Sequence, residues 1–378
     1  MICICVGTRP NFIKAAPIIR EMEKQNVVYT LVHTGQHYDK LMSECFFTDL
    51  GLPTPDKNFG AWFARPNYAI QVGKMMVDFD KYFDATRPDM VLSLGDVNSS
   101  LACALAAKFS GIKLAHVEAG ERCGDRSMPE EINRILIDEI SDIHFFSSQA
   151  AVSNVPCGGP FVGNVMIDQL IYDEARLVDY AVMSEPYAVL TLHRQKNVDC
   201  YVKFLEIYSI ICEVATKIRV EFVVHPRTRL YVEKAVKQEG KPLNLFIRDP
   251  MGRRDFLALV KSAKFVMTDS GGLQVETSYL NVPTFTLRES TEWTDTVWYG
   301  SNCVYDPFST DKSTFWFDID IVLNGAWKQS RFKEDPMNDG HAAERIVNIL
   351  KIAYRIHEEQ LTSTNKKEIQ EKYKEIKK

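Results

Sequence analysis

The chain has 378 residues, 46% of them apolar and 25% charged, with a formal net charge of −5. That length exceeds one ordinary core, so two domains are expected, and the composition is that of a soluble globular protein. The negative balance argues against a broad basic surface for nucleic acid, and no apolar run is long enough to span a membrane.

The N-terminus, Met1 to Gly7, lacks the basic region and cleavage site of a signal peptide and reads as a first strand over Ile2–Val6. A helix over Asn11–Lys24 follows, then a strand over Tyr29–His33 and a helix over Lys40–Leu50. Further strands are expected at Met90–Leu94, Lys113–Val117 and Ile143–Ser147, with helices over Ser99–Phe109 and Glu130–Ser141. This alternation predicts a parallel, doubly wound α/β sheet. The rhythm restarts with strands at Tyr187–Leu192, Glu221–His225, Leu243–Ile247, Phe265–Thr268 and Thr284–Leu287. Helices over Val202–Thr216, Arg229–Gln238 and Arg254–Ser262 lie between them, and the chain from about His341 reads as helical. The domains are expected at 1–165 and 166–352, joined near Gly163-Asn164, with a helix at about 353–378 completing the first. Two Rossmann-like domains facing each other would place a nucleotide-linked ligand in the cleft between them.

The nine cysteines have no repeating spacing and no Cys-x-x-Cys pair. They read as reduced thiols, mostly buried, and Cys3 and Cys5 share one strand face. Neither a zinc site nor any other metal or cofactor is expected. The glycine pattern of a dinucleotide fingerprint is absent, which argues against an NAD site.

The chemistry-bearing segments all follow strands. Thr268-Asp269-Ser270-Gly271-Gly272 sits at a strand-to-helix junction, where glycine backbone and a helix N-terminus suit a diphosphate. Glu276, one turn on, is placed to accept hydrogen bonds from sugar hydroxyls. Gly7-Thr8-Arg9-Pro10 follows the first strand and aims Arg9 at anionic oxygens, with Lys14 farther along the helix. Gly95-Asp96 and His116-Val117-Glu118-Ala119-Gly120 each put a carboxylate at a strand's carboxyl end. Such a group binds something or takes up a proton. Met128-Pro129-Glu130-Glu131-Ile132-Asn133-Arg134 opens a helix, where early acids also suit the helix dipole. Three acidic positions in one predicted cleft favour acid/base work over that plainer reading. His193-Arg194 and His225-Pro226-Arg227 repeat a His-Arg arrangement after consecutive strands, which favours a diphosphate site. Thr34-Gly35-Gln36-His37 fits a substrate loop or a regulatory one.

Together with Gln274, Leu287-Arg288 and Thr291-Glu292, these segments run collinearly over about residues 2–350. In that order they resemble the non-hydrolysing UDP-N-acetylglucosamine 2-epimerase family. The resemblance implies the glycosyltransferase-B architecture and a homodimer, while the reduced thiols point to a cytoplasmic location. It implies interconversion of UDP-N-acetylglucosamine and UDP-N-acetylmannosamine, by anti elimination of UDP to a 2-acetamidoglucal and re-addition. The positions matching the family's catalytic residues are Asp96, Glu118, Glu130 and His193. Asp96 and Glu130 are expected to transfer protons, Glu118 to orient them, and His193 and Arg9 to hold the diphosphate. Arg9, Ser270, Gly271, Gly272 and Glu276 match the UDP contacts, and Lys14, Arg134, His225, Arg227 and Arg288 complete the UDP-hexosamine set.

This chain departs from the family pattern at Glu121 (commonly Leu), Cys123 (Ser or Thr), Lys196 (Glu) and Trp293 (Arg), and shows short loops around Phe59–Ala69 and Pro156–Pro160. These departures keep open a modified UDP-hexosamine, such as a diacetamido-uronate or a 6-deoxy sugar. Rival activities for the same set of residues are a hydrolysing epimerase and a UDP-sugar glycosyltransferase.

Overall fold

The computed structural model describes residues 1–35, 47, 49–60, 67–177, 183 and 185–353. Gln36, His37, most of the helix expected over Lys40–Leu50 and the helix expected beyond 353 lie outside the described residues. The chain forms two units: Met1–Gln169 with the chain from Gly340 onward, and Leu170–Asp339.

The first unit carries β1 (Ile2–Val6), β2 (Tyr29–His33), β3 (Lys57–Asn58), β4 (Met90–Leu94), β5 (Lys113–Ala119) and β6 (Ile143–Phe146). They form one sheet in the order β3-β2-β1-β4-β5-β6, with every pairing parallel. Helices cover both faces, which is why the strands read as continuous apolar runs. On one face Ile2, Ile4 and Val6 meet Ile18, Ile19 and Met22 of helix Arg9–Lys24, and Ile346, Val347 and Leu350 of helix Ala342–Ala353. On the other, Cys3 and Cys5 meet Phe79 and Phe83 of helix Tyr68–Thr86 and the alanines of helix Asn98–Phe109.

Helix Tyr68–Thr86 was not expected from the sequence. Its buried residues Met75, Phe79, Tyr82 and Phe83 recur at helical spacing, and Asn67 caps it by accepting a bond from Ile70 N at 3.2 Å.

The second unit carries β7 (Tyr187–Thr191), β8 (Arg219–Val223), β9 (Leu245–Arg248), β10 (Phe265–Thr268), β11 (Thr284–Leu287) and β12 (Asn302–Tyr305). Their order, β12-β11-β10-β7-β8-β9, is again all parallel and repeats the first sheet's topology. In each sheet the order reverses beside the first strand, at β1/β4 and at β7/β10, where open α/β sheets bind ligands. β8 begins and ends two residues before the expected Glu221–His225. Pro226 takes the first position of helix Pro226–Glu239 and leaves His225 as its cap, so the strand stops sooner.

Candidate active site

Register brings the first unit's carboxylates together. Leu94 of β4 pairs with Val117 of β5, so Gly95-Asp96 leaves the sheet beside Glu118. β5 bulges between Val117 and Ala119, and Glu118 takes the left-handed conformation at φ 71°. Its carboxylate is buried, with Oε1 2.6 Å from Lys14 Nζ and, among the described residues, no hydrogen bond to Oε2. Burial pushes this carboxyl up, the Lys14 charge opposes that, and the Asp96 charge pushes it further up. Gly95, at φ 60°, makes room for the pair, since a Cβ there would stand 2.5 Å from Lys14 Nζ.

Asp96 is held by the buried Arg134, whose Nη2 pairs with Oδ2 while Nη1 lies 3.2 Å from Glu131 Oε2. Glu131 also accepts from Cys123 N at 3.0 Å and Gly124 N at 3.1 Å, which fastens the loop before the helix. Burial works against the Glu131 charge, and these bonds with Arg134 outweigh it, so its carboxyl sits below the usual range. Glu130, by contrast, makes no hydrogen bond or ion pair among the described residues and is partly exposed at the first turn of helix Pro129–Ile140. Of the two adjacent acids, Glu131 is the structural one and Glu130 the open one.

Asp138 was missed by sequence reasoning. It accepts from His116 Nδ1 at 2.7 Å, Gly120 N at 3.0 Å and Arg122 Nη2 at 2.6 Å, while His116 Nε2 reaches Gly95 O at 3.0 Å. One side chain thus ties the ends of β4 and β5 together. A buried acid beside Ile137 on the helix's inner face was the available signal.

The second unit gathers its groups in the same way. Thr191 of β7 is level with Thr268 of β10, so the His193-Arg194 turn meets Asp269. Buried Asp269 accepts from His193 N at 3.0 and 3.1 Å, Arg194 N at 2.9 Å and Asn197 Nδ2 at 3.0 Å, and lies 3.2 Å from His193 Nδ1. The ring of His193 remains partly exposed, with its centroid 5.4 Å from that of His225. Ser270 precedes helix Gly271–Tyr279, and a Cβ at Gly271 would stand 2.5 Å from Glu292 Oε1. Glu292 is flanked by Arg288 Nη2 at 2.8 Å and Arg194 Nη2 at 3.6 Å. Arg288 is buried, and its Nη1 donates no hydrogen bond among the described residues. Glu276 is held by buried Arg253, Nη2 to Oε1 at 2.7 Å, and Arg253 is anchored in turn by Asp173 at 2.6 Å. Nothing in the sequence pointed to Arg253.

Four cations expected to touch substrate have carboxylate partners within their own units. Lys14 holds Glu118, Arg134 holds Asp96 and Glu131, Arg227 makes two 2.8 Å bonds to Asp199, and Arg288 lies 2.8 Å from Glu292. The first two therefore set the electrostatics of the acids. Arg9 is exposed at the start of helix Arg9–Lys24. Among the departures from the family pattern, buried Glu121 accepts from Ser147 Oγ at 2.6 Å, and Lys196 pairs with Glu289 at 2.6 Å. Among the described residues, no cluster of His, Cys, Asp or Glu could hold a metal ion, and no helix is long and apolar enough to cross a membrane.

A family model described as UDP-N-acetylglucosamine 2-epimerase matches residues 20–351. The UDP-N-acetylglucosamine 2-epimerase of Methanocaldococcus jannaschii is 36% identical over 374 residues, covering 92% of this chain and 98% of that one. A UDP-2,3-diacetamido-2,3-dideoxy-D-glucuronate 2-epimerase of Pseudomonas aeruginosa is 35% identical over 309 residues, covering 79% of this chain and 86% of that one. The crystal structure of the M. jannaschii enzyme in complex with UDP-GlcNAc and UDP aligns with a TM-score of 0.84 at 35% identity, over 93% of this chain and 99% of that one. With the family model matching most of its length and a relative 36% identical over 92% of it, the chain belongs to the UDP-N-acetylglucosamine 2-epimerase family.

Proposed function

We propose that this chain interconverts UDP-N-acetylglucosamine and UDP-N-acetylmannosamine without hydrolysis. UDP leaves C1 by anti elimination as the C2 proton is removed, and returns to the 2-acetamidoglucal as a proton is delivered to the opposite face. The observation that carries the reading is the carboxyl of Glu118. It is buried, raised, held at one oxygen by Lys14 and bare at the other. Such a group holds and exchanges a proton more readily than an ordinary carboxylate.

We assign proton transfer to Glu118 and the open Glu130, with Asp96, clamped by Arg134, orienting the sugar. This differs from the expectation that Asp96 transfers the proton and Glu118 orients. Asp96 has a guanidinium against it, whereas Glu118 has an oxygen to spare. The helix N-terminus at Ser270, Gly271 and Gly272 binds the diphosphate, helped by Arg288, His193 and His225. Glu276, fixed by Arg253, accepts the ribose hydroxyls. A nuclear magnetic resonance assay in heavy water tests the reading. The expected result is the second UDP-hexosamine with deuterium at C2, and product without deuterium would refute it.

The Pseudomonas relative, of nearly the same identity, favours a second reading in which a diacetamido-uronate is the substrate. Conversion of that UDP-sugar but not of UDP-N-acetylglucosamine would select it. We also infer a cytoplasmic homodimer. Exposed Ile70 and Val77 on one helix and Ile132 and Leu136 on another supply apolar surface for a second copy. Light scattering on the purified chain tests the dimer.

A further inference from the structure

The loop Pro156-Cys157-Gly158-Gly159-Pro160 plays no part in the chemistry above, yet it builds a thiol–imidazole pair. Cys157 is exposed, and its Sγ lies 3.6 Å from Nδ1 of His144 on β6. His144 is 3% exposed, and its Nε2 lies 2.7 Å from the backbone oxygen of Asp138. A carbonyl oxygen only accepts, so Nε2 carries the hydrogen and Nδ1 of the neutral ring is the acceptor. Among the described residues the thiol is the one partner of that Nδ1, so a buried base with a fixed tautomer points at an exposed sulfur.

The backbone builds this contact in. Phe146 N donates to Pro160 O and Val162 N to Phe146 O, both at 3.0 Å, which pins the loop's far end to β6. Gly159 lets the loop press inward, because a Cβ there would stand 2.4 Å from His144 O. Gly158 turns at φ 73°. Cys200 is the comparison: it is also exposed, it caps helix Tyr201–Lys217, and among the described residues its sulfur makes no hydrogen bond to an imidazole.

We propose that Cys157 and His144 form a reactive thiol site that takes small disulfides, separate from the epimerase chemistry. The Cys157 thiol passes its proton to His144 Nδ1, and the thiolate attacks one sulfur of the disulfide. A Cys157–sulfur bond forms as the reagent's S–S bond breaks. The departing thiolate takes the proton, so one disulfide is consumed, one is made, and no outside oxidant is needed. The product is an S-thiolated chain.

The test uses the full-length protein with Ellman's reagent and with oxidised glutathione, and locates the modified peptide by mass. One fast phase is expected at Cys157, about tenfold or more above the rate at Cys200. Cys157→Ser should abolish it and Cys200→Ser should leave it intact. His144→Gln should slow Cys157 about tenfold while leaving the Cys200 rate unchanged. Equal rates at Cys157 and Cys200 in the unaltered protein, or a fast phase that survives Cys157→Ser, would overturn the proposal. That comparison holds even where the buried His144 tolerates no substitution.

Discussion

Glu118 occupies a backbone conformation that costs a non-glycine residue about 1–3 kcal/mol. The strain has a visible return. It turns the carboxyl out of β5 onto Lys14 and leaves Oε2 without a hydrogen bond among the described residues. Glu118→Gln keeps the shape and removes the titrating proton. Turnover should fall by roughly 10²–10⁴, with UDP affinity by calorimetry held within about threefold. A parallel loss of both would make Glu118 a binding residue. Glu130 separates two explanations of a first-turn acid. As helix-terminal charge, Glu130→Gln would cost about 0.3–1 kcal/mol and spare activity. As a proton-transfer group it loses turnover by roughly 10²-fold or more, with a near-unchanged melting temperature. Retained turnover in this variant would remove Glu130 from the mechanism.

The next scale is the strand-to-helix junction, where element geometry decides what can bind. Helix Gly271–Tyr279 starts against Glu292, Trp293 and Arg194, all within 3.5 Å of where a Cβ on Gly271 would sit. Gly271→Ala should push this wall away from the helix N-terminus and weaken UDP binding about tenfold, or 1.4 kcal/mol. Titration calorimetry measures it, and unchanged affinity would place the diphosphate elsewhere. Much at this scale was legible beforehand. Parallel strands covered on both faces are largely apolar runs, so Met90–Leu94 and Phe265–Thr268 were read to the residue. The Gly-Gly junction was legible because only glycine tolerates such closeness. Helix Tyr68–Thr86 was missed although Asn67 and the Met75–Phe83 spacing announced it. The ionic pairings were not legible, because the partners are remote in sequence. Lys14 and Glu118 are 104 residues apart and Asp96 and Arg134 are 38 apart, so a cation read as substrate-facing became a neighbour of the acid.

Across the whole chain, each unit locks a strand-end loop with one buried aspartate: Asp138 in the first, Asp269 in the second. Burial disfavours both charges. Around Asp138, His116 and Arg122 outweigh it, and around Asp269, His193 and the His193 and Arg194 backbone N–H groups do. Both carboxyls therefore sit below the ordinary 3.8. Between the folded and ordinary values the unfolded chain binds more protons, so folding stability falls as pH falls. The contribution is complete above the ordinary value and is lost as pH drops through the folded one. Asp138→Asn and Asp269→Asn cannot titrate. Each should lower stability at neutral pH by roughly 2–3 kcal/mol, through loss of bonds to a charged acceptor. Each should also flatten the fall in melting temperature on the acid side. Glu131 and Asp142, also depressed, leave a residual slope. Because the two aspartates share no partner, their effects should add within about 0.5 kcal/mol in the double variant. Melting curves from neutral pH down to about pH 3 measure this, spanning the ordinary aspartate value. A variant with the acid slope of the unaltered chain would show that its aspartate does not carry the linkage.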